Sequence, residues 1–168
     1  GLQQSNAQLQ TVSDFLRIVT DSQPTAIAAV DGQGQIMFAN SKASEEAGVV
    51  ASELIGKTLP SAMGVDKAKH LQRANDQAVE KGQPLTEWRV ENRAEGRRVV
   101  KSDHIPLRAD GADISGVLMI QEDITDLVDE RERRARILRE LVQTCVAVVD
   151  RRDPFSAHHS ERVAEVAS

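Results

Sequence analysis

The stretch "RDPFSAHHSERVA", residues 152–164, places His158 and His159 side by side among charged neighbours. Histidine pairs of this kind can begin a metal site, but such a site needs three or four converging ligands. Only eighteen residues follow Asp150, and two vicinal histidines alone read more often as a solvated surface pair. Two further histidines, His70 and His104, lie far upstream. Single histidines away from other metal-ligand types read first as surface or packing residues, so any chemistry depends on what the intervening elements bring together.

Composition narrows those elements. The chain has 168 residues, 40 % of them hydrophobic and 28 % charged, the mixture of a folded protein with one domain and appendages. A net charge of −5 argues against nucleic acid or an anionic membrane surface as the main partner. Aromatic residues make up 2 %, with no tyrosine, which removes base-stacking platforms. The longest apolar run, "CVAVV", is far short of the roughly 20 residues of a membrane span. No signal peptide is visible, and the lone Cys145 fits a reducing, cytoplasmic setting.

Four segments follow from patterning. Residues 1–20 lack proline and carry Leu9, Val12, Leu16 and Val19 at 3-4-3 spacing, a helix stripe widened by Phe15 and Ile18 and stopped before Pro24. Residues 21–123 change character. "TAIAAVD" and "QIMFAN" flank a Gly-rich turn and predict a hairpin. Short helical pieces end at Gly48 and Gly56, and a longer helix is expected over about residues 66–81, ended by Gly82. "PLTEWRVENR", "RRVVKSDHIPL" and "ISGVLMIQED" predict three further strands. Two strands, helices, then three strands give an α+β domain: a five-stranded antiparallel sheet with helices on one face.

In residues 124–149, Ile124, Leu127, Arg131, Arg134, Leu138, Leu141, Cys145 and Val148 alternate in steps of three and four. This is a heptad seam with arginine at two central positions, predicting a parallel two-stranded coiled coil. An ordinary amphipathic helix with a solvated middle is the plainer alternative. Residues 150–168 form the fourth segment.

The second segment resembles a PAS sensory domain. "AIAAVDGQGQIMFAN" is similar to that family's first hairpin, with Asn40 closing the second strand, and "ELIGKTLP" to the turn before its long helix. Its last three strands are matched through to an Asp-Ile-Thr exit motif, Asp123, Ile124 and Thr125. The resemblance implies a ligand pocket between the sheet and the long helix, lined by Ile36, Leu71, Ala78 and Met119. The family binds haem, flavins, carboxylates or nothing. Were haem the ligand, His70 on the long helix would be its iron ligand. A tight flavin site is disfavoured by the scarcity of aromatic side chains. His104, alternating with Ile105, is expected to face solvent; Trp88 is expected to pack in the pocket or at a dimer interface; Asn40 is expected to cap the following helix.

The fourth segment resembles the start of an HD-GYP domain, the bacterial cyclic di-GMP phosphodiesterase family. Arg152-Asp153-Pro154, Phe155, Ser156 and His159-Ser160-Glu161-Arg162-Val163-Ala164 carry the likeness. The family's first metal ligand corresponds to His159, while His158 stands where glycine is usual. Phe155 in place of glutamate implies two divalent metals rather than three in a complete enzyme. The chain has neither a His-Asp dipeptide nor Gly-Tyr-Pro, so the site is incomplete and no catalysis is expected of these residues alone. The resemblances together imply a bacterial signal-transduction module, a homodimer that senses a small molecule and sets a downstream phosphodiesterase through Asp123, Ile124, Thr125, Arg131 and Arg134. The other readings are a ligand-free dimer scaffold and an active fragment.

Overall fold

A computed structural model describes residues 1–111 and 113–152. The elements run α1 (Leu2–Asp21), β1 (Ala26–Asp31), β2 (Ile36–Ala39), α2 (Ser41–Ala47), α3 (Ala51–Leu54), α4 (Leu59–Met63), α5 (Val65–Lys81), β3 (Leu85–Arg93), β4 (Gly96–Arg108), β5 (Ile114–Asp123) and α6 (Thr125–Arg152). The hairpin, the long helix and the three closing strands lie where their patterns place them. The short helix α4 is an addition: Pro60 in its first turn supplies a preset φ where a missing N–H costs nothing. The chain divides into two compact units, Gly1–Thr125 and Asp126–Ser168.

The first unit is built on an antiparallel sheet of order β2-β1-β5-β4-β3. Its first and last strands are therefore central neighbours, and the residues leaving β5 emerge from the middle of the sheet. This adjacency has a steric condition. A Cβ on Gly116 would lie 2.2 Å from the Val30 carbonyl oxygen, so β5 can approach β1 this closely only with glycine there. Helices α2 to α5 supply the partners for one sheet face, where Val30, Ile36, Ala39, Leu54, Leu59, Ala68, Leu71, Val117 and Met119 form the core. Small side chains on α5, Ala68, Ala74 and Ala78, are fully buried and let that helix approach the strands.

Asn40 joins three elements and the linker between two of them. Almost fully buried, it caps α2 by accepting a hydrogen bond from the Ala43 amide, as its type predicts. The same oxygen accepts from the Ile27 amide on β1, while its amide nitrogen donates to the Thr20 and Thr25 carbonyls at 2.8 and 2.9 Å. The end of α1 is thereby tied to the hairpin. The rest of α1 leaves Leu9, Val12, Phe15, Leu16 and Ile18 more than half exposed.

The expectation that His104 faces solvent is wrong. It is wholly buried, because its register partners Leu85 and Met119 place it on the helix-covered face beneath α5. There Nδ1 lies 2.6 Å from Asn75 Oδ1, and Nε2 has no hydrogen-bond partner. Alternation with Ile105 gave the right period but the wrong face, since Ile105 is itself half-buried on the opposite side. Burial holds His104 below its ordinary pKa, outweighing the raising influence of Glu87 and Asp103; Arg89 adds to the lowering.

The unfolded chain takes up a proton at His104 near its ordinary pKa of 6.5, whereas the fold resists until a lower pH. Stability from the neutral imidazole is therefore complete above that value and lost as pH falls through the folded pKa. Thermal unfolding should show Tm declining as pH drops from about 7 to about 5, and a His104→Gln variant should show a flatter profile; equal slopes would exclude the imidazole as the cause. Asn40→Ala should cost about 3 kcal/mol in denaturant unfolding, because it leaves several buried backbone groups unpaired.

Candidate functional site

The covered face of the sheet is not completely filled. A cavity of about 100 Å³ lies under α2, α3 and the start of α5. Its apolar floor comes from Ala26, Ala28, Ile36, Ala39, Leu54, Leu59, Leu71 and Met119. The alanines of β1 and β2 create the space, because larger side chains at those inward positions would meet the helices.

Charge gathers at the rim. Strand β3 carries Glu87, Arg89, Glu91 and Arg93 at every second position, while Trp88 and Val90 alternate with them and are 64 % and 57 % exposed. The usual polarity of a half-covered strand is inverted here: charged side chains point toward the helices and apolar ones toward solvent. Arg89 and Arg93 both donate to Glu91, and these bonds hold its carboxyl below the usual range against the opposing effect of partial burial.

Arg98 on β4 is the most enclosed of the rim cations, with its side chain 17 % exposed. It donates to both Glu46 carboxylate oxygens on α2, at 2.8 and 2.6 Å, and its Nε donates to Asp123 Oδ2 at 2.7 Å. Burial disfavours the cation, but the bonds it donates to Glu46 and Asp123 outweigh that and raise its pKa further. Asp123 is opposed by burial in the same way, yet bonds from Thr125 and Arg98 bring its carboxyl down to about 2.

The Asp-Ile-Thr segment then links this rim to the first residue of α6. Thr125 donates its hydroxyl and its amide to Asp123 Oδ1, and its hydroxyl oxygen accepts from the Val99 amide at 2.8 Å. Ile124 is 5 % exposed and its amide bonds to the Val99 carbonyl. Ile124 therefore belongs to the folded core and is not available to the expected heptad seam, of which Leu127 is the first exposed residue. Within α6, Leu127, Leu138, Leu141 and Val148 are about half exposed, and Arg134 pairs with Glu130 one turn back.

Of the expected pocket residues, Ile36, Leu71 and Met119 line the cavity. Ala78 is fully buried further along α5 and is not part of the lining. His70 lies on the exposed side of α5, outside the lining, because it follows Ala68 and precedes Leu71 off the buried stripe. Haem does not fit this arrangement: the histidine faces away, and about 100 Å³ is well below the roughly 300 Å³ at which pockets for larger ligands begin. Trp88 faces solvent rather than the cavity. His158, His159 and Phe155 lie outside the described residues. The rim residues Glu46, Arg89, Glu91 and Arg98 escaped sequence reasoning, although period-two charge opposite Trp88 and Val90 was a legible signal. Among the described residues no helix is long and apolar enough to cross a membrane.

Comparisons with known proteins agree with this geometry. A family model described as the PAS fold matches residues 20–129. The PAS domain of BvgS from Bordetella pertussis is 24 % identical with a TM-score of 0.57, covering 82 % of this chain and 98 % of that one. A PAS domain from Colwellia psychrerythraea is 22 % identical with a TM-score of 0.53, over 68 % of this chain and 98 % of that one. The VqmA dimer of Vibrio cholerae is 20 % identical with a TM-score of 0.57, over 71 % of this chain and 52 % of that one. No curated protein matches the chain. With the family match extending from the end of α1 into the first turn of α6, this chain belongs to the PAS-fold family.

Proposed function

We propose that this chain is a sensory and dimerising module of a signal-transduction protein, in which the state of the cavity is passed through Asp123, Ile124 and Thr125 to α6. The observation that carries this reading is the unbroken set of bonds from Glu46 at the rim, through Arg98 and Asp123, to Thr125. A change in what Arg98 holds alters the partner of Asp123, and Asp123 orients the residue that opens α6. VqmA, similar in fold, is a dimer and binds DPO, which supports both halves of the reading.

Two copies associate in parallel through the exposed apolar side chains of α6, aided by the uncovered stripe of α1. In the α6 seam, Arg131 and Arg134 occupy central positions where apolar contact is lost and like charges approach. A seam weak at its centre can change register or rotation at small cost, which suits a transmitting element. The domain arrangement follows: helix 1–20, sensory domain 21–123, signalling helix 124–149, and residues 150–168 as the opening of an HD-GYP-like domain whose cyclic di-GMP phosphodiesterase activity is the output. That finer assignment rests on the residues from Arg152 to Ala164 that resemble the family.

Sedimentation equilibrium at tens of micromolar should give a dimer, and replacing both Arg131 and Arg134 by leucine should tighten it while making cyclic di-GMP hydrolysis by the parent protein insensitive to signal. A monomer, or a double variant that responds normally, would overturn the mechanism. Thr125→Val should cost about 1 kcal/mol and speed hydrogen exchange at the Val99 amide, which loses its acceptor. Unchanged exchange there would remove Thr125 from the route.

A further inference from the structure

We infer that the outer edge of β3 is a self-association surface, on which a second copy of this chain adds its own β3 antiparallel, centred on Val90. This contact goes beyond the α6 association and depends on no ligand of the cavity. The first observation is an open edge. Strand β3 runs nine residues at one end of the sheet order, and among the described residues its backbone makes no bond outside the β4 ladder. No proline interrupts it. A long edge with free N–H and C=O groups is a template for another strand.

Inward-pointing charge usually guards against such pairing. The second observation is that the charges here alternate in sign: Glu87, Arg89, Glu91 and Arg93 share the inward face of β3. With Val90 opposite the partner's Val90, Glu87 stands opposite the partner's Arg93 and Arg89 opposite the partner's Glu91. The two-fold axis repeats both pairs, so every inward charge meets its opposite. A slip of two residues sets Arg89 against the partner's Arg89, or Glu91 against the partner's Glu91. A slip of one residue puts the charged face of one copy on the apolar face of the other. One register is therefore selected over its neighbours.

The third observation is what β3 leaves unmatched within one copy. Glu87 is half-buried yet has no hydrogen-bond or ion-pair partner among the described residues, whereas Glu91 holds both neighbouring arginines. On the other face, Trp88 and Val90 stay exposed. In the selected register the partner's Arg93 comes opposite Glu87. Trp88 lies diagonal to the partner's Val90, a spacing that an aromatic ring spans. Arg89 and Arg93 also line the cavity, so the pairing joins the charged rims of two cavities. The overlap from Glu87 to Arg93 is short for an interface, which makes the contact a weak and transient one.

The test is disulfide trapping in the 168-residue chain carrying Cys145→Ser, so that the introduced thiol is its single one. Directly opposite residues of an antiparallel pair lie within disulfide reach, whereas an offset of four residues separates them by about 13 Å. Val90→Cys should give cross-linked dimer under mild oxidation. Asn92→Cys, whose two copies are offset in this way, should give several-fold less. Added to Val90→Cys, Glu87→Arg or Arg93→Glu alone should lower trapping several-fold, because each sets like charges opposite. An equal mixture of those two chains should recover it as mixed dimer, in which every pair is again of opposite sign. Equal yields at positions 90 and 92, or no preference for the mixed dimer, would overturn the proposal. Yields indifferent to charge reversal would instead mark packing of one Trp88 face on another. Sedimentation of the same chains in reductant reads the α6 association separately. A dimer there without trapping at position 90 sinks this inference alone, and trapping in a chain monomeric at tens of micromolar sinks the α6 reading alone.

Discussion

A guanidinium that is four-fifths withdrawn from water must find carboxylates, and Arg98 finds them on two elements distant in sequence. Leaving a charge so enclosed without partners would cost several kcal/mol, so the fold around it is constrained as a set. Helix α2 has to present Glu46, β3 has to turn Glu91 and its arginine partners inward, and β5 has to end with Asp123 at the rim. The result is a polar collar on an apolar cavity. Each of its members lies within reach of whatever enters, and one of them, Asp123, is also the residue that holds the first turn of α6 through Thr125.

The collar stands on a framework tied together by strand pairing and a few buried side-chain bonds. Antiparallel pairing of β1 with β5 brings the first strand against the last, and Gly116 permits their close approach. Asn40 fixes the other end by bonding four backbone groups in three different elements and the linker between them. His104 and Asn75 pin α5 to β4 in the same interior. These polar groups are few, buried and directional, so they specify how the helices lie on the sheet where apolar packing alone would leave latitude. Short helices α2 to α4, by contrast, carry few buried side chains and are the natural part of the unit to move.

Element by element, the sequence was most legible where a single period governed it. The hairpin around the Gly-rich turn, the long helix closed by Gly82 and the three closing strands all lie close to their expected bounds. The floor residues Ile36, Leu71 and Met119 were accessible for the same reason, since each belongs to an apolar face that must be covered. The rim was not. Glu46 and Arg98 are 52 residues apart and meet by way of α2 and β4, and no local pattern encodes such a pairing. His104 failed differently: its alternation was visible, but choosing the face depends on which register β4 adopts with β3 and β5.

By itself, the sequence determined the class of fold, the order of elements and the existence of a covered sheet face, because hydrophobic period and turn chemistry act over a few residues. It also carried the Asp-Ile-Thr exit segment and the seam from Leu127 onward as readable patterns. Tertiary structure alone decided that Ile124 belongs to the core, that His70 faces outward while His104 is enclosed, and that three arginines close over a small cavity. Each of those outcomes depends on strand register and on helix placement over the sheet, which are set by contacts among residues far apart in the chain.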